Sequence, residues 1–311
     1  MRDPVTVLSL VRAAAFLLVV CSLLACFRMP HWSLELLQHF RFQYLWAGVV
    51  LLLVAAYLRD YWSVGGLLAI TALNGWLVLA WFTGTEQTPV AGTSVKIVHA
   101  NVLSSNSEHH ALIAFVKAEQ PDVIFLQEVS PQWEAGLGEL LNEWPHAYVE
   151  SRPGNFGIAA YSKHPFDSIR HVDSPPLGYP TLIAALTIEQ ERVNLISTHP
   201  TIPLGASLSA ARNQQMVSVA ELAGSSAGPT IVSGDFNATV WDWRLSDFEN
   251  ASGLKNARRG FGVLPTWPAR ALGLRIPIDH VFVSDDIQVL KLETGPNIGS
   301  DHLPLVVTVS L

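Results

Sequence analysis

The chain changes character once. Three long apolar stretches come first: residues 5–27, interrupted by Arg12 and small hydroxyls, then 42–58 and 62–82, neither of which carries a charge. Each approaches the roughly 20 residues needed to cross a bilayer, the second being the shortest. The pattern predicts three membrane-spanning helices. Trp32, Tyr44, Trp46, Tyr57, Tyr61, Trp62, Trp76 and Trp81 are expected partly at the water–membrane boundaries. The first stretch resembles a signal peptide in position. It lacks a small-x-small cleavage site followed by a polar mature region, and two more apolar stretches follow. A helical hairpin packed on a water-soluble domain is the alternative.

From residue 95 the pattern becomes short β-like runs separated by polar turns. Runs at 95–100, 123–126, 157–161, 182–188, 193–197, 230–233, 281–284, 289–293 and 305–309 read as strands. Residues 108–119, 131–142 and 207–222 have helical spacing, the first stopped by Pro121 and the last by Gly224. Strands alternate with helices early and dominate later, which predicts a two-sheet α/β sandwich rather than a single doubly wound sheet. The expected division is an anchor at 1–84, a polar linker at 85–94 containing Pro89, and a second domain at 95–311.

Composition sharpens this division. Half of the 311 residues are apolar and 14% are charged. From Thr93 onward there are 22 acidic and 14 basic residues, a net charge of −8. Such a domain lacks the basic footprint of a binder of long nucleic acid. Cys21 and Cys26 both fall in the first apolar stretch and read as packing residues, not as a disulfide or metal pair. Arginines barely separate the two sides of the bilayer. The short Arg59-Asp60 connection, read as a cytoplasmic turn, predicts that the second domain lies on the periplasmic or extracellular face of the membrane.

The polar residues that interrupt this pattern stand at strand ends. Asn101 follows the first strand and Gln127-Glu128 the second. His199 follows a mid-chain strand. Gly234-Asp235-Phe236-Asn237 follows the next, Ile278-Asp279-His280 opens another, and Gly299-Ser300-Asp301-His302 precedes the last. Any one of these reads as a turn. Gathered at one end of a sheet, carboxylates, amides and a His are what phosphate-ester hydrolysis through a hard cation requires.

In this order the motifs resemble the endonuclease/exonuclease/phosphatase superfamily, the deoxyribonuclease I-like fold, over roughly 95–311. The anchor is similar to that of its bacterial membrane-anchored branch. The resemblance implies a four-layer α/β/β/α sandwich behind three transmembrane helices, and a Mg²⁺ site for which Mn²⁺ is a possible substitute. It implies hydrolysis of phosphodiesters, with a nuclease expected first and a lipid or inositol-phosphate phosphodiesterase second. A catalytically silent membrane scaffold is the non-enzyme alternative. By resemblance Glu128 is the principal metal ligand, completed by Asn101 and Asp301. Asp235, Asn237, His302, Asp279 and His199 act on water and phosphate, with Asp279 orienting His302. Whether Asp235 or His302 takes the proton is open, and His280 is expected to be structural.

Substrate contacts are less determined. Lys255, Arg258, Arg259, Arg270 and Arg275 form a run without acids that could bind substrate phosphates or anionic headgroups, or be a solvated loop. Trp267 is a stacking residue or a loop anchor. Tyr161 and Arg212 either touch substrate or pack. The expected partners are nucleic acid, or a phosphorylated small molecule or lipid, together with the bilayer.

Overall fold

The computed structural model describes residues 4–28, 31–84 and 92–311. Most of the expected linker, 85–91, lies outside them. The first helix, α1 (Pro4–Leu24), is followed by one turn, α2 (Trp32–Glu35), and a 3-10 segment running into α3 (Arg41–Tyr57). A tight turn at Arg59-Asp60 leads to α4 (Tyr61–Leu79). Three of these stretches are long and apolar enough to cross a membrane: 6–24, 32–57 and 61–79. Their outer faces leave Phe16, Leu17, Trp46, Leu53, Leu68 and Trp76 exposed, which suits a lipid solvent and not water. A seam of Val11, Ala15, Leu18, Ala55 and Leu67 is buried between them, with Ser22, Ile70 and Asn74 buried as well. Arg12 meets Asp60 through two hydrogen bonds, so that neither charge faces the apolar surroundings unpaired.

The remainder contains two six-stranded mixed sheets. The first is built from β1 (Ser94–Asn101), β2 (Val123–Gln127), β3 (His146–Glu150), β4 (Ile158–Ser162), β11 (Gln288–Thr294) and β12 (Leu305–Ser310), in the order β11-β12-β1-β2-β4-β3. The second holds β5 (Phe166–Ser174), β6 (Tyr179–Ile188), β7 (Glu191–Thr198), β8 (Thr230–Asp235), β9 (Lys255–Asn256) and β10 (Asp279–Val283), in the order β5-β6-β7-β8-β10-β9. Alternate residues of the central strands, such as Ile97, Phe125, Leu195 and Val281, meet between the sheets. The opposite face of the first sheet is covered by α5 (His109–Glu119) and α6 (Pro131–Gly136). That of the second is covered by α7 (Ala206–Gly224) and α8 (Trp243–Ser252). This is the expected four-layer α/β/β/α sandwich.

Sequence and structure differ in detail. Strands β3 and β5 and helix α8 were not expected. The two strands lie at sheet edges, where one face is wet and His, Asp, Arg and Glu interrupt the apolar alternation. The helix expected at 131–142 is divided at Leu137 into α6 and a 3-10 turn. Helix α8 is short and mostly polar, and is announced only by the Asp242 cap on the Arg244 N–H.

β1 and β2 run parallel, as do β7 and β8, while β12 and β10 enter antiparallel beside them. The carboxyl ends of the first four and the amino ends of the last two therefore lie at one end of the sandwich. Gln127 ties the sheets together there. Its Nε2 donates to the Thr198 carbonyl and its Oε1 accepts from the Asp235 N–H at 2.9 Å. Within the second sheet Gly234 lets β8 lie close to the end of β7, since a Cβ there would stand 2.2 Å from the Thr198 oxygen.

The helical part packs on the second sheet near the same end. His39 Nδ1 lies 3.1 Å from Thr239 Oγ1, Trp241 Nε1 donates to the Leu77 carbonyl at 3.2 Å, and Gln43 Nε2 donates to the Arg275 carbonyl at 3.0 Å.

Candidate active site

Asp235 is the meeting point. It ends β8, buried, with its Oδ2 facing three groups. Asn101 Nδ2, from the end of β1, donates to it at 3.2 Å. His199 Nε2, from the loop after β7, lies 3.4 Å away, and His302 Nε2, from the loop before β12, lies 3.6 Å away. Its Oδ1 accepts from the Asn237 N–H at 2.9 Å. Asn101 Nδ2 also donates to Glu128 Oε1 at 3.0 Å, and the Ser104 N–H donates to Glu128 Oε2 at 3.1 Å. Glu128 and His302 are thus joined through Asn101 and Asp235.

Local backbone geometry aims these side chains. Glu128 has φ 64° and Asn237 φ 49°, both in the left-handed region that bulky residues avoid. Each follows a strand, and the reversed turn swings its side chain toward the sheet end. Ser300 Oγ donates to the Asn101 carbonyl at 2.8 Å and accepts from the His302 N–H at 3.0 Å, which fixes the last loop against the first strand. Asn237 Nδ2 donates to the Pro200 carbonyl at 3.0 Å.

Asp279 holds His302. Its Oδ2 lies 2.9 Å from His302 Nδ1, and its Oδ1 lies 3.2 Å from His99 Nε2. Burial disfavours a charge on His302, but the carboxylates of Asp279 and Asp235 outweigh it and raise the imidazole to about 10. Burial likewise opposes ionisation of Asp279. His302 and His99 overcome it and hold the carboxyl well below its usual range. His199 is raised as well, burial being outweighed by Asp235. His280 behaves oppositely. Burial and the nearby Arg258 lower it to about 3. Its Nε2 lies 2.8 Å from the Ala238 carbonyl and its Nδ1 3.1 Å from Asn256 Nδ2, the pairing of a neutral structural ring.

The donor set meets the needs of a hard cation. Glu128 and Asp235 flank the Asn101 amide nitrogen, while its Oδ1 accepts from the Leu103 N–H at 3.0 Å; turning the amide about its Cβ–Cγ axis would exchange that bond for an Oδ1 aimed at a cation. The Glu128 carboxylate and an amide oxygen suit Mg²⁺ or Mn²⁺, which keep several waters and need few protein ligands. Asp301 is set apart. Its Oδ2 accepts from Trp267 Nε1 at 3.0 Å, and its buried Oδ1 has no partner. Among the described residues no hydrogen bond joins it to Glu128 or Asn101. Asp235, Asp279 and His302 also lie within ligand distance of one another. A His held charged by two carboxylates offers protons and not a lone pair, so this trio suits proton transfer better than cation binding.

Several candidate substrate contacts lie away from the converging residues. Tyr161 is buried in the core beneath α5 and α6, and burial raises its phenol to about 12. Arg212 is fully buried and paired with Glu35 and Asp242. Arg258 is also fully buried, and its guanidinium donates to the Val263, Leu264 and Asp279 carbonyls. Arg259 is exposed but held by Glu249 and stacked on Trp81 at the junction with α4. Arg258 and Arg259 are therefore not free to meet a substrate, whereas Arg270 is exposed and follows Ala269, whose N–H donates to the Asp301 carbonyl at 2.7 Å. Trp267 is beside the site, its ring 6.5 Å from that of His302.

Other participants were not foreseen. His99 reads in sequence as one polar residue inside a strand. Phe156 stacks on Tyr179, and its ring lies 5.4 Å from that of His199. Phe156 and Trp267 therefore stand beside the two histidines that flank Asp235. A cleft of about 770 Å³ lies elsewhere, at the far end of β10 around Val283 and Ser284, and holds none of the converging residues.

Residues 98–302 match the family described as Endonuclease/Exonuclease/phosphatase family. No curated protein sequence matches the chain. Among solved structures, a humanized TDP2 from D. rerio is 19% identical with a TM-score of 0.61, covering 70% of this chain and 99% of that one. The same D. rerio protein complexed with a single-strand DNA product has 18% identity and a TM-score of 0.61, covering 70% and 100%. The catalytic domain of human Nocturnin, with bound sulfate, is 19% identical with a TM-score of 0.58, covering 70% and 94%. At these identities the likeness establishes the fold.

Proposed function

Because the chain belongs to the endonuclease/exonuclease/phosphatase family, we propose that it is a membrane-anchored, divalent-metal-dependent phosphodiesterase. The observation that carries this reading is the convergence of Asn101, His199 and His302 on Asp235 at one end of the sandwich, with Glu128 joined to it through Asn101.

Glu128 and Asn101 would hold Mg²⁺ or Mn²⁺, with Asp235 beside them and Asp301 at the rim. The cation supplies Lewis-acid polarisation of a phosphoryl oxygen. His302, kept charged by Asp279, donates a hydrogen bond to the phosphate as its negative charge grows. Asp235 is then the group left to take the proton of the attacking water. His199 has a buried Nδ1 without a partner, available to a phosphate oxygen. Asn237 lies within reach of the same space and adds no charge that would repel an anion.

Two substrate classes draw on different observations. A nucleic acid is supported by the likeness to the D. rerio structure with single-strand DNA. A phosphodiester at the membrane surface is supported by the loops beside the site. Leu272 and Leu274 are exposed, and the adjoining Arg275 carbonyl is bonded to Gln43 in the first turn of α3. Ile202 and Leu204, in the loop after His199, are exposed too. These exposed apolar side chains and the contact with α3 favour the lipid class.

The test uses full-length protein in nanodiscs with Mg²⁺. It compares release of phosphorylated headgroups from the disc lipids with cleavage of single-stranded DNA and of a chromogenic phosphodiester. The reading expects turnover of the chromogenic ester and loss of that turnover in chelator. Preference for lipid or DNA separates the two classes. Turnover unaffected by chelator would refute the metal-dependent reading.

A further inference from the structure

Arg41 opens α3, and only 3% of its surface is exposed. Its partners are all neutral. Nη1 donates to the Ser22 carbonyl at 2.9 Å and to Asn74 Oδ1 at 3.2 Å, and Nη2 lies 3.4 Å from Cys26 Sγ. Nε is buried with no partner, and among the described residues no carboxylate pairs with this guanidinium. A buried, permanently charged group without a counter-ion is costly, and the cost rises in apolar surroundings.

Arg41 lines a cleft of about 560 Å³ between the ends of the apolar helices and the loop that follows the site strand β8. Trp243 lines it too, and its Nε1 is a second buried donor with no partner. Arg28 and Arg259 stand at the same cleft, each already paired, with Asp247 and Glu249. Phe27 and the largely exposed Trp76 supply apolar wall toward the side that would face lipid. The cleft therefore combines one uncompensated positive charge, a spare indole donor and an apolar flank.

Depth identifies what fits it. Arg41 bonds to Ser22 in the last turn of α1 and to Asn74 in the penultimate turn of α4, so it stands near the ends of the apolar helices. Its guanidinium thus lies at the boundary of the hydrocarbon, where lipid phosphates are found. We infer that this cleft binds the phosphate of an anionic phospholipid, with Arg41 and Trp243 as donors and an acyl chain along Trp76. The site is separate from the Asp235 centre, so it does not depend on the chemistry performed there. The bound lipid would cement the helices to the loop between Asp235 and α8.

The test uses full-length protein purified in neutral detergent. Phosphatidylglycerol, phosphatidylcholine or inorganic phosphate is added, and retained lipid is counted by native mass spectrometry alongside the melting temperature. Phosphatidylglycerol is expected to be retained in preference to phosphatidylcholine and to raise the melting temperature, while inorganic phosphate does neither. Arg41→Gln should abolish the preference and Arg41→Lys should keep it. Because Arg41 also braces α1 and α4, Trp243→Phe provides a milder variant. It removes only the indole N–H and should weaken retention several-fold with the fold intact. Equal retention of the two lipids by the unaltered protein would overturn the inference. So would unchanged selectivity in both Arg41→Gln and Trp243→Phe, or stabilisation by inorganic phosphate equal to that by the lipid.

Discussion

Arg212 on α7 pairs with Glu35, a residue 177 positions earlier that belongs to the connection between the first two apolar helices. The same guanidinium donates to Asp242 Oδ2 at 3.2 Å and to the Asn237 carbonyl at 3.2 Å. One buried cation thus links the helical part to the loop that follows Asp235.

Removing that cation leaves two buried carboxylates facing each other. Arg212→Met should destabilise the protein by about 3–5 kcal/mol, the usual cost of breaking a buried ion pair. Arg259→Ala removes an exposed pair with Glu249 and should cost less than about 1 kcal/mol. Unfolding of the detergent-solubilised chain measured side by side checks the contrast. Equal effects would mean that the buried network carries no special weight.

Gln127 touches neither phosphate nor metal in the proposed scheme, yet its Oε1 receives the Asp235 N–H. Gln127→Leu keeps the bulk and loses both cross-sheet bonds. We expect kcat to fall about tenfold or more, as for groups that orient a ligand from behind, with KM little changed. A KM-only effect would assign Gln127 to substrate binding.

The site was legible as a set of residue types and largely hidden as a geometry. Glu128, Asp235, Asp279 and His302 each sit at the boundary of an apolar run, where period and turn chemistry mark them. His99 carries no such mark, since a lone polar residue inside β1 looks like a solvent-facing position. It became visible only when β10 placed Asp279 opposite. The arginines misled for a related reason. Arg212 and Arg258 look like surface cations because charge is normally exposed, and their partners, Glu35 and a set of backbone carbonyls, come from elements remote in sequence or loops without pattern. The sandwich itself was recoverable from strand periodicity and motif order, except where edge strands are too polar to alternate.

Protonation of His302 should leave a trace in stability. Its folded value of about 10 lies above the ordinary 6.5, so the folded state binds the proton more tightly than the unfolded one. The stabilisation is complete below pH 6.5 and is lost as pH rises through about 10. In chelator, the melting temperature should therefore decline across that window more steeply for the unaltered protein than for His302→Gln. Parallel profiles would show that the ring is not held charged by Asp279 and Asp235.

His280 predicts the opposite slope at acid pH. With a folded value near 3 against 6.5, the unfolded state takes up the proton first, so stability falls as pH drops below 6.5. His280→Gln should flatten the melting profile between these limits. An unchanged acid limb would place the sensitivity elsewhere.

The most direct test of the central claim is hydrolysis of a chromogenic phosphodiester by full-length protein and by Glu128→Gln, titrated with Mg²⁺ and then with chelator. Turnover should saturate with Mg²⁺, disappear in chelator, and fall by orders of magnitude in Glu128→Gln while the melting temperature in chelator stays close to that of the unaltered protein. Full activity of Glu128→Gln, or turnover indifferent to metal, would contradict the account.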